Sequence, residues 1–265
     1  MWKIESLAQY NQLIDRAEQQ GFALTNCFFL PAAVQKKVED GTLYGLEVGS
    51  GLLLLDDNGG FYRCYYYLSP QGKPDRLTLD KNAVIEFPFN GVMGERQRQQ
   101  VSLIDRMGFR LGRESGMMSA APTALIGHGQ AQERCSGAQS RDAEGIMALL
   151  TGCFNPMYAF LPDRKALSDA IDQGRVLVVR EGGRVAAALV SGFEKRIATV
   201  NQVAVDPDYR RRGYAGALMR TYHSLYVGRA ASFRHWVDIN NVPAVNMYLG
   251  LGYTFSLRRA NEYIM

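Results

Sequence analysis

Residues 197–226, "IATVNQVAVDPDYRRRGYAGALMRTYHSLY", join an apolar strand to an amphipathic helix through one short turn. The strand ends in Asp206-Pro207, three arginines follow, and glycine comes at the helix start. Cations at a helix N-terminus oppose the helix dipole, so Arg210, Arg211 and Arg212 suit that place only if an anion joins them. Gly213, Ala215 and Gly216 keep side chains off the first turn, where backbone N–H groups lack partners inside the helix. The N–H groups of residues 211–216 therefore form a candidate anion nest. The spacing is neither the dinucleotide fingerprint nor the P-loop pattern.

A strand feeding a helix in this way needs a sheet to lie on. Downstream, "SFRHWVDI" reads as a strand, "PAVNMYLGLG" as a short helix and "YTFSLRRANEYIM" as a closing strand. Upstream, "RDAEGIMALLTGCF" and "DRKALSDAIDQG" read as helices, and "RVLVVREGGRVAAALVSGF" as two strands turning at Gly182-Gly183. The order helix-helix, three strands, helix, strand, helix, strand fits a mixed-sheet, three-layer α/β domain. The helix after Gly213 is expected to bury Ala215, Leu218, Tyr222 and Leu225.

The preceding half shows a blurred version of that order. Strands are expected at "LYGLEVG", "GLLLLDD", "FYRCYYYLS" and "AVIEFPF", a helix at "ERQRQQVSLIDRMG", and a closing strand at "FRLGRESGMM". The two endings superpose at Gly108-Phe109 and Gly252-Tyr253, which predicts an internal repeat. The small-residue stretch "SAAPTALIGHGQAQ" divides it, giving domains 1–128 and 129–265.

Composition narrows the setting. Apolar residues at 47% and charged residues at 21% are those of a globular chain, and no uncharged run is long enough to span a bilayer. The N-terminus carries acids from the start and lacks a signal-peptide core, so a cytoplasmic protein is expected, without a membrane partner. The four cysteines and three histidines make no metal-ligand pattern, so no metal is expected. A net charge of +4 suits an acidic ligand but is too small to argue for nucleic acid. The arginine run has no interleaved aromatics of the kind a base-stacking platform requires, and no nucleic-acid partner is expected.

Arg210-x-x-Gly213-x-Ala215, after "VNQVAVDPDY", resembles the acyl-CoA signature R/Q-x-x-G-x-G/A of the GNAT superfamily of N-acetyltransferases. "NNVPAVNMYLGLGY" is similar to that family's N-x-x-A-x-x-x-Y…G-F/Y pattern through Asn241, Ala244, Tyr248, Gly252 and Tyr253. The resemblance covers roughly 130–265 and implies a tandem of GNAT-like domains whose N-terminal copy is degenerate. It implies acetyl-CoA as cosubstrate, its pantetheine arm along Val203, Ala204 and Val205 and its pyrophosphate over Arg210, Arg211, Arg212, Gly213, Tyr214, Ala215 and Gly216. Asn241 is implied as a pantetheine contact, or else caps its helix. Tyr248 is implied as the acid that protonates the departing thiolate, since a phenol keeps its proton at neutral pH.

The base is not legible. The family's carboxylate position falls near Thr199, with Asn201 and Gln202 beyond it, and none of these can take a proton from an ammonium. A water held by Asn201 or Gln202 is the first expectation. Glu194 reads as a solvated turn residue, and alternation puts Asp238 and Trp236 on one face of their strand and His235 on the other. "FNPMYAFLPD" either walls an acceptor pocket or packs against the first segment. The expected activity is acetyl transfer to an amine in a ternary complex, with an acyl-CoA-sensing protein as the alternative. In the first half, Ile104 corresponds to Tyr248 and Gln97 to Asn241, and "QGKPDRLTLDKN" has no glycine-opened helix start.

Overall fold

The structure, a computed structural model, describes residues 1–125 and 134–265. It divides into two compact units, Met1–Glu114 with Arg258–Met265, and Ser115–Leu257. The expected boundary between 128 and 129 lies outside the described residues. The chain passes from one unit to the other twice, after Glu114 and after Leu257, where the sequence reading has two consecutive segments. Strand patterns reveal where a strand lies in the chain, not which sheet receives it.

The second unit holds β8 (Cys135–Gly137), α4 (Ala143–Cys153), α5 (Arg164–Asp172), β9 (Val176–Glu181), β10 (Arg184–Glu194), β11 (Ile197–Val205), α6 (Tyr214–Tyr226), β12 (Ser232–Asp238), α7 (Val242–Gly250) and the start of β13 (Thr254–Ile264). Its sheet runs β8-β9-β10-β11-β12 and is completed by the Ser115–Ala120 stretch of β7 (Arg110–Ala120), antiparallel to β12. The β11–β12 pair is parallel, with α6 in the crossover. Gly182 and Gly183 turn the first hairpin with φ of 55° and 80°, the two positive values that a two-residue hairpin of type I′ requires. Lys195 and Arg196 turn the next one with φ of 47° and 63°, without glycine's help.

Both faces of this sheet are covered. Ile146, Leu150 and Leu167 of α4 and α5 pack on Val178, Ala188 and Val190, while Leu218, Met219 and Tyr222 of α6 pack on Val179, Leu189, Ala198 and Val200. The buried face of α6 is wider than expected: Tyr214, Ala217, Met219 and Tyr226 join Leu218 and Tyr222, while Leu225 is left exposed.

The first unit repeats this order. It contains β1 (Trp2–Lys3), α1 (Leu7–Gln19), β2 (Leu24–Thr25), α2 (Pro31–Glu39), β3 (Leu43–Glu47), β4 (Gly51–Asp57), β5 (Phe61–Leu68), β6 (Asn82–Asn90) and α3 (Glu95–Arg106). The sheet is β1-β3-β4-β5-β6, completed by Arg258–Ile264 of β13, antiparallel to β6. "GLLLLDD" sends Leu53 and Leu55 toward α3 and Leu52 and Leu54 toward α1 and α2, so β4 is buried on both faces. β5 and β6 are parallel, as β11 and β12 are, but residues 69–81 between them contain no helix. Gly108 and Gly252 both have positive φ (105° and 88°), and Phe109 and Tyr253 after them are at most 1% exposed. These matched steps and the matched sheet order bear out the repeat.

The copies differ again beside β5. In the first unit β2 pairs with the end of β5 (Leu24 with Leu68, Thr25 with Tyr67). Asn26 continues the seal: its Oδ1 accepts the Tyr66 N–H (2.8 Å) and its Nδ2 donates to the carbonyls of Glu86 (3.0 Å) and Cys64 (3.4 Å). The edge that β5 presents beyond its pairing with β6 is thus satisfied from within the chain.

Candidate active site

In the second unit the corresponding edge is open. β11 and β12 pair only over Ile197–Val200 and Ser232–His235. Beyond that rung β11 continues beside β10 alone, from Gln202 opposite Val190 to Val205 opposite Ala187. The cause is local. The β10–β11 register shifts so that Ser191 faces Val200 and Val190 faces Gln202, which leaves Asn201 as an unpaired bulge residue. A bulge inverts which side chains face which layer. Ala198 and Val200 before it, and Val203 and Val205 after it, all pack toward α6; Ala204 packs toward α4. In the first unit the β4–β5 register runs unbroken from Gly51–Leu68 to Asp57–Tyr62.

β11 leads into the arginine turn. Arg211 and Gly213 both have left-handed backbone, φ of 64° and 79°. The first hydrogen bond of the α6 ladder runs from the Ala217 N–H to the Gly213 carbonyl, and the N–H groups of residues 211–216 have no backbone acceptor among the described residues. The first turn of α6 carries no acid, so its positive dipole end is uncompensated. A Cβ at Gly213 would meet nothing within 4 Å, whereas at Gly216 it would come to 3.5 Å from the Arg220 guanidinium. Arg210, Arg211 and Arg212 are exposed. Arg210 Nε donates to the Val205 carbonyl (3.3 Å), and Arg212 lies 5.0 Å over the Tyr209 ring and donates to the Asp208 carbonyl (3.3 Å). The Tyr214 side chain turns inward and its hydroxyl donates to Glu181, so only its main chain belongs to the loop. Ala215 is half-buried beside Gly216.

α7 opens on Asn241, whose Oδ1 accepts the Ala244 N–H (3.3 Å); of the two readings of Asn241, this is the helix cap. One face of α7 buries Tyr248, which shares a core cluster with Val203 and Val205. Burial pushes its phenol up to about 12. Its ring lies 3.8 Å, centroid to centroid, from the His235 ring, and Tyr253 stands edge-on at 6.0 Å. Sequence reasoning put His235 on the face opposite Asp238 but did not bring it to Tyr248. A lone histidine in an apolar strand gives no signal of what will pack on it.

The polar residues near the bulge are neutral. Thr199 Oγ1 donates to Asn201 Oδ1 (3.3 Å), and both lie at the surface side of the strand. Gln202 is buried and its Nε2 donates to the Phe160 carbonyl (2.8 Å), which ties "FNPMYAFLPD" to β11. Within that loop Phe154 and Leu161 join the α4–α5 core and Phe160 is exposed. Glu194 is exposed beside Lys195, and Asp238 accepts the Asn240 N–H (2.8 Å) in a turn. No group of three or more metal-ligating side chains occurs among the described residues. No helix among them is long and apolar enough to cross a membrane.

Residues 143–253 match the model of the acetyltransferase (GNAT) family. A comparison with curated proteins finds no match. Among solved structures, the chain is similar to a GCN5-related N-acetyltransferase from Sphaerobacter thermophilus (14% identity, 98% of this chain and 93% of that one, TM-score 0.54). It is also similar to a GNAT-family acetyltransferase from Colwellia psychrerythraea (15% identity, 99% and 98%, TM-score 0.52). A third is a tandem GNAT protein from the clavulanic acid biosynthesis pathway (12% identity, 82% and 78%, TM-score 0.50). At these identities the likeness is one of fold. Residues 143–253 thus carry a GNAT acetyltransferase domain by their family match, and the chain shares the fold of GNAT structures, a tandem GNAT protein among them, in keeping with its repeated sheet order.

Proposed function

We propose that the protein transfers acetyl from acetyl-CoA to a primary amine, by direct attack in a ternary complex formed on the second unit. The observation that carries this reading is the free edge of β11 running straight into unpartnered N–H groups. An extended amide chain can add to that edge as a strand would, along Val203, Ala204 and Val205. A pyrophosphate can rest on the N–H groups of residues 211–216, with Arg210, Arg211 and Arg212 supplying exposed positive charge.

With the thioester drawn into the opening, the amine attacks its carbonyl carbon. A C–N bond forms, and an N–H near Val205 stabilises the oxyanion. The C–S bond then breaks, Tyr248 gives its proton to the thiolate, and the surplus proton on the attacking nitrogen leaves through water and restores the phenol. A phenol pushed up to about 12 stays protonated until a strong base appears beside it, which suits an acid held in reserve. The ammonium form of the acceptor first loses its proton to water held at Asn201 or at the Gln202 Oε1, which has no hydrogen-bond partner among the described residues. Asn241 serves the arm indirectly, by fixing the start of α7.

Thiol release from acetyl-CoA, followed with a panel of amines, tests the activity and separates it from acyl-CoA sensing. Tyr248→Phe should lower kcat by ~10²–10⁴ with the affinity for acetyl-CoA retained, the range for loss of an acid. An unchanged kcat would remove Tyr248 from the mechanism.

A further inference from the structure

We infer that His235 is a positioning residue for Tyr248: an uncharged ring at the last paired rung of β12 that fixes the phenol plane and closes its inner side to water. The inference rests on the reading of Tyr248 given above. His235 stands opposite Val200, where β11 and β12 part. Its ring is 3% exposed and lies against Tyr248 at 3.8 Å, tilted 40°, with Tyr253 edge-on at 4.6 Å.

Neither Nδ1 nor Nε2 of His235 has a hydrogen-bond partner among the described residues. A side chain that gives up both polar contacts is held there by its ring, and an unpaired buried donor is a standing cost that packing must offset. The groups facing the pair are few. Tyr253, immediately before β13, donates to or accepts from His223 Nε2 of α6 (2.9 Å). His223 is the other titratable group acting on His235, and no carboxylate or guanidinium does so. Burial and His223 hold the His235 ring neutral, its pKa down to about 3. A cation in contact with the phenol would draw off its proton, whereas a neutral ring leaves burial as the one influence on Tyr248.

The test compares kcat against pH for wild type, His235→Ala, His235→Asn and His235→Phe, each divided by wild type so that ionisation of the acceptor cancels. Opening a space beside the phenol admits water and returns Tyr248 toward its ordinary value of about 10. His235→Ala should lower kcat about tenfold or more, the KM for acetyl-CoA changing less, and should add a falling limb near pH ~10. His235→Asn should do the same if the alanine variant does not fold. His235→Phe, which keeps a ring and removes two unpaired nitrogens, should restore the rate and the flat profile without lowering Tm. A pH profile in His235→Ala and His235→Asn that follows wild type would overturn the inference, as would equal loss in His235→Phe. Tyr248→Phe, run beside them, tells the two failures apart. If it keeps wild-type kcat, the reading of Tyr248 fails. If it is impaired while the alanine and asparagine profiles are flat, the role of His235 alone fails.

Discussion

Replacing Gly213 by valine separates binding from folding at the arginine loop. Gly213 has φ of 79°, a region that costs an L-residue about 1–2 kcal/mol and a β-branched one somewhat more. Nothing lies within 4 Å of a Cβ built there, so backbone strain is the whole cost to the fold. Against a stability of about 5–15 kcal/mol, the variant stays folded. The same empty space is where phosphate must come to reach the N–H groups of residues 211–216. A hydrogen bond to a charged group contributes about 1.5–3 kcal/mol, so losing two of them costs about 3–6 kcal/mol. That corresponds to roughly a hundredfold to ten-thousandfold in Kd. Calorimetric titration with acetyl-CoA reads the affinity, and a thermal melt without ligand reads the fold. Gly213→Ala should lose less on both counts. Wild-type affinity in folded Gly213→Val would refute the phosphate assignment.

The first unit invites two further expectations. Asn26→Ala leaves the Tyr66 N–H and the Cys64 and Glu86 carbonyls without their side-chain partner, at about 1–3 kcal/mol each, so a urea melt should show a loss of at least ~3 kcal/mol; a loss below ~1 kcal/mol would mean that Asn26 does not hold that edge closed. Because that edge is filled and residues 69–81 offer no helix start, calorimetry on the whole chain should give one acetyl-CoA site per chain, and two tight sites would refute the reading.

Much of the second unit was legible because glycine, proline and alternation write its backbone geometry directly. Gly182-Gly183, Asp206-Pro207 and Arg210 through Gly216 mark turns that the structure forms at those places. The Lys195-Arg196 hairpin was harder, since its residues carry no turn preference and the strand register imposes their positive φ. The bulge at Asn201 leaves almost no trace in the sequence, for it is a property of two strands together. His235 against Tyr248, and Asn26 against β5 and β6, join residues far apart in the chain. Neither pair can be read from local pattern. α2 escaped notice because "PAAVQKKVE" buries only Val34 and shows little periodicity.

The passage of Arg258–Ile264 into the first unit sets an order of events during synthesis. After Glu114 the ribosome adds about 140 residues, some 7–30 s at about 5–20 residues per second, before the strand that completes the first sheet exists. For that interval β6 is an uncovered edge, the kind of surface on which other chains pair. Glu86 and Pro88 lie within it, a charge and a residue with no N–H to offer, which makes "NAVIEFPFN" a poor template for a stranger. A nascent chain of this protein thus carries its first unit incomplete while the second is being made, and closes it only once Arg258–Ile264 has emerged.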